Sequence, residues 1–547
     1  MAFTAGNSTT ATAMSARKRR ATPAKKTANR VGGTGTPTTD RQGLPLGPTG
    51  RTIVTLRPGP QRETIRALRS TAGVAMASTA DFEDAAPSDD ALASGAILLH
   101  NLDVAILPGD GDQVRSLEAA VNDAANPILS VEPEMFVIPF ADGSEVTEES
   151  AEGALLTAGG LEYLRGYGDA IEGLISRLLH GGASSVDDEA TLLTTFVDTA
   201  THTWGLQATA ADASQCTGSG IRVAVLDTGF DLNHPDFAGR AIISQSFVPG
   251  QAVQDGHSHG THCVGTSCGP RVPPGGTRRY GVAGQATILV GKVLSNSGSG
   301  QQGWILAGIN WAIQNNAAVI SMSLGSPVQV GGTFSPAYEQ AALAALNRNC
   351  LIVAAAGNSG TDPQFFPVGS PANCPSVLAV AAVDNNLQRA GFSCRGVNPN
   401  GGNVDIAGPG VGTFSSVPMP TRYGLKSGTS MATPHVAGIA ALWAQSSGAR
   451  GMALWQRLTS SAKNIGQTVD QVGAGLVQAP SCRRVVGPLR PPVRPPIVFP
   501  PRIPFPPVRL PVPPRPPMIP GSLGDAAPDL GPIVPGGPSH ALTDTDG

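Results

Sequence analysis

The sequence is poor in charge and has no long apolar run. Charged residues make up 14% of its 547 residues and the formal net charge is −3, so a surface built to bind nucleic acid is not expected. The longest apolar runs, at 96–100 and 351–356, fall far short of the roughly 20 residues that cross a bilayer, and no membrane span is predicted. Hydrophobic residues still reach 41% of the chain, enough for a large core.

The N-terminus also lacks the apolar stretch of a secretory signal, so the sequence does not predict a compartment. Cysteine is scarce, with seven residues in the whole chain. Because seven is an odd number, at least one thiol is free or pairs with another chain. The pairing of the seven cysteines stays open at this point.

Composition divides the chain into five segments. Residues 1–50 are predicted to be a disordered basic arm, because their Lys and Arg residues stand among small polar residues without apolar periodicity. Residues 51–140 combine strand-like runs with amphipathic helical patterns and predict a small α+β domain. Residues 141–200 are an acidic linker in which 161–179 has helical leucine spacing. Residues 483–547 hold 20 of the 48 prolines and seven arginines, which predicts an extended, disordered tail.

The fifth segment, residues 201–482, alternates apolar strand-like runs with helical patterns. This alternation predicts an α/β fold with a mostly parallel central sheet that is covered on both faces. The predicted strands are 221–226, 288–293, 319–323, 351–356 and 377–383, and the predicted helices are 304–314, 336–347 and 431–443.

Two motifs in this segment carry candidate acid–base residues. Asp227 ends an apolar strand and precedes Thr-Gly, and a buried carboxylate at such a place needs hydrogen-bond partners. The second motif contains His257, His259 and His262 within six residues. Taken alone, this motif is compatible with metal binding, base catalysis or a structural role, although Thr261 stands where a dinuclear metallo-hydrolase needs Asp.

A third motif supplies a candidate nucleophile. Ser430 lies among small residues at the start of a predicted helix, whose N-terminus favours developing negative charge. A serine hydroxyl is a poor nucleophile unless a base takes its proton, and that base needs a carboxylate on its other nitrogen. Asp227, His259 and Ser430 provide these three groups, in the chain order that subtilisin uses.

The three motifs resemble those of the subtilase family of serine peptidases, and its proteinase K branch in particular. The residues that carry the resemblance are Asp-Thr-Gly at Asp227, His-Gly-Thr-His-Cys at His259, and Gly-Thr-Ser-Met-Ala-Thr-Pro-His-Val-Ala-Gly around Ser430. The resemblance covers residues 201–482. It implies a three-layer subtilisin-like α/β fold and a serine endopeptidase whose triad is Asp227, His259 and Ser430.

The same resemblance implies roles for residues around the triad. His262 and His435 would be structural, while the role of His257 stays open. Asn358 follows an apolar strand and would stabilise the oxyanion together with the backbone N–H of Ser430. Two strands at the cleft edges would pair with an extended substrate, and a pocket would accept large apolar or aromatic side chains before the cleaved bond. The implied substrate-binding residues are Gly298, Ser299, Gly300, Ser323, Leu324, Gly325 and Gly369.

The resemblance leaves the metal question open. No cofactor is expected for the chemistry, and structural calcium is the metal that the family implies. Asp236 falls where one calcium ligand is expected, but residues 268–279 do not match the calcium-binding loop of the bacterial subtilisins. Cys263 resembles the free cysteine beside the catalytic histidine in proteinase K relatives.

Residues 51–140 resemble the inhibitory propeptide of the same family. The residues that carry this resemblance are Thr-Ile-Val-Thr-Leu at 52–56, the order of helices and strands, and the run 130–137. The resemblance implies a monomeric, self-processing zymogen that acts on proteins or peptides, with this domain as its intramolecular inhibitor. An unrelated α+β module is the alternative. The processing site is predicted within 139–150, and a site near residue 200 is the second choice.

Two other functions are alternatives to an endopeptidase. An aspartic protease would need a second such carboxylate, on the chain or in a homodimer. The chain has one Asp-Thr-Gly, and the serine motif would be unexplained. A scaffold protein on an inactive protease fold could use the Arg/Pro-rich tail to dock aromatic grooves or anionic surfaces. However, every residue type that catalysis requires is present.

Overall fold

The computed structural model describes residues 38–39, 44–73, 75–82, 87–93, 95–140, 195–364 and 366–482, which all belong to one compact unit, Met1–Arg484. Most of the predicted basic arm, the helix predicted in 161–179 and the Arg/Pro-rich tail lie outside the described residues. Within the described ranges, no helix is both long and apolar enough to cross a membrane.

The N-terminal part, residues 38–140, is a mostly antiparallel sheet whose two longer helices lie on one face. The order of its main strands is β7-β3-β6-β5-β4. The strands are β1 (Thr38–Thr39), β2 (Pro45–Leu46), β3 (Pro48–Leu56), β4 (Ala77–Ser78), β5 (Ile97–Leu99), β6 (Val104–Pro108) and β7 (Ile128–Pro139). The helices are α1 (Gln61–Ala72), α2 (Asp89–Ala93) and α3 (Gly111–Val121).

Side chains of this sheet alternate between two different apolar clusters, as the period of two in a strand requires. Ala105 and Leu107 of β6 pack with Leu68 of α1 in a small cluster inside the N-terminal part. Val104 and Ile106 face the other way and belong to the main cluster of the C-terminal part. One face of the sheet is therefore buried by α1 and α3. The other face is buried mainly by the C-terminal part, with Ala91 and Leu92 of α2 in the same cluster.

The C-terminal part, residues 195–482, confirms the predicted α/β fold. Its central sheet has the order β16-β15-β14-β12-β8-β10-β9, and every pairing in it is parallel. The strands of this part are β8 (Arg222–Asp227), β9 (Ile242–Ser246), β10 (Thr287–Lys292), β11 (Gly300–Gln301), β12 (Val319–Met322), β13 (Leu324–Gly325), β14 (Leu351–Ala355), β15 (Leu378–Val383), β16 (Ile406–Pro409), β17 (Thr413–Ser416) and β18 (Tyr423–Lys426).

Helices cover both faces of the central sheet. The sheet separates two apolar clusters, one on each face. They are α4 (Trp204–Ala208), α5 (His259–Cys268), α6 (Gln302–Gln314), α7 (Pro336–Asn347), α8 (Thr429–Ser447), α9 (Gly451–Ser460) and α10 (Val469–Val472). Local signals explain several ends. Ser335 caps α7 with a hydrogen bond from the Tyr338 N–H at 3.2 Å, and Pro336 takes the first helical position, where its missing N–H costs little. Gly448 ends α8 in the left-handed conformation, with φ of +73°.

A disulfide joins the two ends of the C-terminal part. Cys216 and Cys482 are paired, with their Cα atoms 5.4 Å apart and a sequence separation of 266. A cross-link of this kind stabilises a fold by restricting the unfolded chain. The sequence had left this pairing open, because nothing local to either cysteine identifies its partner.

Candidate active site

Three of the predicted site residues lie side by side at one edge of the central sheet. Asp227 is the last residue of β8, Ser323 directly follows β12, and Asn358 comes three residues after β14. Strand β12 lies between β8 and β14, and the carboxyl ends of parallel strands meet at the same edge. This edge is where open α/β sheets bind their ligands.

His259, the first residue of α5, contacts the carboxylate of Asp227. The distance from His259 Nδ1 to Asp227 Oδ1 is 2.7 Å, and both side chains are buried. The N–H of Thr228 also donates to Asp227 Oδ1, at 2.7 Å. A carboxylate on Nδ1 fixes the ring and leaves Nε2 to act as a base. Within the described residues, His259 Nε2 has no hydrogen-bond partner.

Ser430 is the second residue of α8 and lies close to this pair. Its hydroxyl donates to the backbone oxygen of Ser323 at 2.9 Å. The sulfur of Cys263 bridges the two sides of the site, because it lies 3.9 Å from His259 Nδ1 and 3.6 Å from the backbone oxygen of Ser430. Burial is the main cause that raises the pKa of the Cys263 thiol well above its ordinary value, so this cysteine is a protonated packing group.

Two hydrogen-bond donors converge on one carbonyl oxygen beside Ser430. Asn358 Nδ2 donates to the backbone oxygen of Phe140 at 2.8 Å, and the N–H of Ser430 donates to the same oxygen at 3.3 Å. The Asn358 amide is fixed from behind, since its Oδ1 accepts from the N–H and the hydroxyl of Thr429 at 3.0 and 2.8 Å. This is the donor arrangement that stabilises an oxyanion.

Strand β7 of the N-terminal part lies between the two predicted cleft strands and pairs antiparallel with both. Gly300 and Gln301 of β11 pair with Val137 and Phe136, and β13 pairs with residues 138–139 on the other side. Gly298 and Ser299 form the turn that leads into β11, with Ser299 accepting a hydrogen bond from the Ser295 N–H at 2.8 Å. The resemblance to a propeptide predicts that the N-terminal domain blocks the cleft, and β7 is the strand that lies there. The sequence does not predict the register of its pairing.

The side chain of Phe140 fills a pocket whose walls include two glycines. It is 5% exposed. A Cβ atom on Gly325 would lie 2.5 Å from Phe140 Cε2, and one on Gly369 would lie 3.3 Å from Phe140 Cζ. The aromatic ring therefore occupies space that any side chain at Gly325 would fill.

The remaining histidines bind separate partners. His262 Nε2 lies 2.9 Å from the backbone oxygen of Thr413, and His435 Nδ1 lies 2.9 Å from that of Met431. Burial lowers the pKa of His262 well below its ordinary value, and it lowers the pKa of His435 to about 4. Both rings are neutral and serve as buried hydrogen-bonding groups. The three histidines of the 257–262 motif therefore do not converge on one metal-binding point.

Asp255 is a buried carboxylate that none of the sequence motifs identifies. It accepts hydrogen bonds from Thr228 Oγ1 at 2.9 Å, from the N–H groups of residues 257–258, and from the N–H and hydroxyl of Thr261 at 2.8 and 2.7 Å. Burial would raise its pKa, but these hydrogen bonds outweigh burial and hold the pKa below the ordinary value. Asp255 thus fixes the loop that presents His259. The available signal was an acidic residue immediately before the histidine motif.

Asp236, the predicted calcium ligand, is surrounded by hydrogen-bond donors from the protein. Tyr280 donates to Oδ2 at 2.5 Å, and the Tyr423 hydroxyl lies 3.1 and 3.0 Å from Oδ1 and Oδ2. The guanidinium of Arg422 lies 2.9 Å from Oδ1. These donors leave a metal ion no oxygen shell at this carboxylate, so the residues present do not fit the calcium site that the sequence suggested.

The fold and the site together define a class. A parallel α/β sheet holds Asp227 and His259 in contact at its carboxyl edge, with Ser430 and two converging donors beside them. This combination resembles the arrangement of serine peptidases that use an Asp–His–Ser triad.

Comparison with known proteins identifies the family. A sequence model of the subtilase family matches residues 218–475. Subtilisin E of Bacillus subtilis is 44% identical over 239 residues, which are 43% of this chain and 58% of that protein. Subtilisin of Bacillus pumilus is 44% identical over 81% of its length, and Subtilisin Savinase of Lederbergia lenta is 41% identical over 98% of its length. The chain belongs to the subtilase family. The finer assignment to the proteinase K branch stays a prediction.

Proposed function

We propose that this protein is a serine endopeptidase that cleaves protein or peptide substrates through an acyl-enzyme on Ser430. In this mechanism, His259 Nε2 takes the proton of the Ser430 hydroxyl while Oγ attacks the carbonyl carbon, and Asp227 stabilises the imidazolium that forms. Asn358 Nδ2 and the N–H of Ser430 donate to the oxyanion. His259 then gives its proton to the leaving amine, and water releases the acyl group by the same steps. No cofactor takes part.

The position of the Phe140 carbonyl oxygen is the observation that carries this proposal. It accepts hydrogen bonds from Asn358 at 2.8 Å and from the Ser430 N–H at 3.3 Å. In sequence, Phe140 is followed by Ala141. The peptide bond after this carbonyl is therefore the bond that the proposed nucleophile would attack. We propose Phe140–Ala141 as the processing site, within the predicted interval 139–150.

The N-terminal part is the proposed intramolecular inhibitor of a monomeric enzyme. Strand β7 pairs with both cleft strands, so no second peptide can add to them while β7 remains. The inhibitor has a second contact with the enzyme outside the cleft, because Val104 and Ile106 share an apolar cluster with Leu306 of α6. Cleavage alone would not release such a unit, and activation requires its dissociation or digestion.

The proposed specificity follows from the pocket that holds Phe140. The ring lies against two glycines, Gly325 and Gly369, which bring neither charge nor bulk. We propose that the enzyme prefers large apolar or aromatic residues before the cleaved bond and has no preference for Lys or Arg.

N-terminal sequencing and casein hydrolysis test this function together. The wild-type chain should yield an active enzyme that begins at Ala141, whereas Ser430→Ala expressed alone should stay uncut and inactive. Ser321→Ala is the matched control, because Ser321 is equally buried and its hydroxyl has no hydrogen-bond partner among the described residues. It should be processed and active. Casein hydrolysis by purified Ser430→Ala at the wild-type rate would end the proposal.

A further inference from the structure

The carboxylate of Asp236 is a buried charge whose counter-charge comes from the protein. Its side chain is fully buried, while that of Arg422 is 29% exposed and reaches in from the surface. The two tyrosine hydroxyls on the same carboxylate are held in a cluster of rings, since Tyr280 and Tyr423 lie 5.9 Å apart by ring centroids. One cation and two neutral donors therefore compensate a charge that could not stay buried alone.

This donor set has the opposite chemistry to a calcium shell. Calcium takes six to eight oxygen ligands at about 2.3–2.6 Å, drawn from carboxylates, carbonyls and water. At Asp236 the phenol hydroxyls direct hydrogens, not lone pairs, toward the carboxylate. The nearby carbonyl oxygens are engaged too, because that of Pro274 accepts from Arg422 at 2.7 Å and that of Arg422 lies 3.0 Å from His234 Nε2.

Arg422 also explains why residues 268–279 differ from the calcium-binding loop. Its guanidinium spans the turn at Asp236 and the carbonyl of Pro274 inside that segment. Its backbone has φ of +67° and closes the turn between β17 and β18, with the Val417 N–H donating to the Arg422 oxygen at 2.8 Å. Arg422 thus connects its own turn to Asp236 and to Pro274. A bound metal ion would connect separate segments in the same way.

We infer that the guanidinium of Arg422 replaces a calcium ion at Asp236, so that this corner of the peptidase domain is stabilised without metal. The inference concerns stability and does not depend on the proposed catalytic activity.

Thermal unfolding of full-length Ser430→Ala, which cannot digest itself, tests the inference. The midpoint with excess EDTA should equal the midpoint with excess calcium. In the same background, Arg422→Met should lower the midpoint by several degrees, because the buried carboxylate of Asp236 then has no counter-charge. Arg278→Met is the matched control, because Arg278 comes from the same region and pairs with Asp198 at 2.9 Å. Its midpoint should not respond to calcium.

The variant Asp236→Asn shows whether an effect of EDTA on the midpoint arises at Asp236 or at another site. A drop in the midpoint with EDTA that Asp236→Asn abolishes would overturn the inference, whereas a drop that persists in this variant places the metal elsewhere and leaves the inference standing. Terbium luminescence is a second readout that does not depend on the unfolding midpoint. A lanthanide at Asp236 would be sensitised by Tyr280 and Tyr423, so calcium-displaceable terbium emission from the Ser430→Ala chain that Tyr280→Phe removes would also contradict the inference.

Discussion

The amide of Asn358 is held at both ends. Its oxygen accepts two hydrogen bonds from Thr429, and its nitrogen is directed at the carbonyl oxygen of Phe140. A donor fixed in this way needs no reorganisation when charge develops on the carbonyl oxygen, and preorganisation is the main source of oxyanion stabilisation. The contribution of Asn358 should therefore appear in the chemical step and not in substrate binding.

Asn358→Ala should lower kcat by about 10²–10³-fold and leave KM nearly unchanged. The measurement is steady-state hydrolysis of a chromogenic peptide with Phe before the cleaved bond, using purified processed enzyme. Asn386→Ala is a suitable control, since Asn386 is exposed and its side chain hydrogen-bonds to Thr195, not to a site residue. A rise in KM at unchanged kcat would show that Asn358 binds the ground state instead.

At the scale of elements, local patterns in the sequence predict most of the helices and strands. They do not predict the contacts between residues that are far apart in sequence. Helix α7, Pro336–Asn347, was predicted with the ends it has, because Ser335 and Pro336 mark its start in the sequence itself. Helix α8 extends beyond its predicted 431–443 at both ends. The resemblance to a propeptide predicts that the N-terminal part reaches the cleft, but no local pattern identifies Phe140 as the residue whose carbonyl lies at Asn358, or the register of β7 against β11 and β13. The sequence does not predict the replacement of calcium by Arg422 either, because Arg422 and Asp236 are far apart in the chain.

The end of β7 is the element on which the proposed processing depends. Phe140→Asp should block processing, because the pocket at Gly325 and Gly369 offers no charged partner and burying a carboxylate there is costly. Phe140→Leu should be processed. Leu129→Asp is the matched control on the same strand, since Leu129 is 40% exposed. The measurement is the cleaved fraction on a denaturing gel over time.

Efficient cutting of Phe140→Asp after residue 140 would contradict the proposed pocket. Cutting of every variant near residue 200 instead would favour the alternative site. It would show that the strand that blocks the cleft does not determine where the chain is cut.

At the scale of the whole molecule, two glutamates of β7 join the N-terminal part to the start of helices α6 and α7. Glu134 accepts from the Gly303 N–H at 2.9 Å, and Glu132 accepts from Ser335 Oγ at 2.6 Å and from the Ala337 N–H at 3.2 Å. Carboxylates at helix N-termini are favourable. Burial nevertheless dominates and raises the pKa of both side chains, although nearby hydrogen bonds and, for Glu134, the charge of Arg51 act against it.

The raised pKa values predict how pH affects inhibition. In the complex both glutamates hold protons more strongly than in the free N-terminal part, so linkage makes the complex tightest near and below pH 4.5 and weaker as pH rises through the raised values. Above that window the affinity should level off. The measurement is the inhibition constant of the separate N-terminal part against processed enzyme, from pH 4.5 to 8.

The double variant Glu132→Gln/Glu134→Gln keeps amide oxygens as acceptors and removes the charge. Its inhibition constant should vary much less with pH than that of the wild-type unit. Inhibition that weakens on acidification, in the wild type and not in the double variant, would show that the charged carboxylates stabilise the complex and would reverse the proposed sign.

The central claim is that Ser430 is a nucleophile activated by His259, and covalent labelling of the processed enzyme tests it most directly. Intact mass and peptide mapping after treatment with a fluorophosphonate should show one adduct, on Ser430. The adduct should form equally with and without EDTA, and it should be lost in His259→Ala processed in trans by wild-type enzyme. An adduct on another residue, or a labelling rate in His259→Ala equal to that of the wild type, would contradict the account.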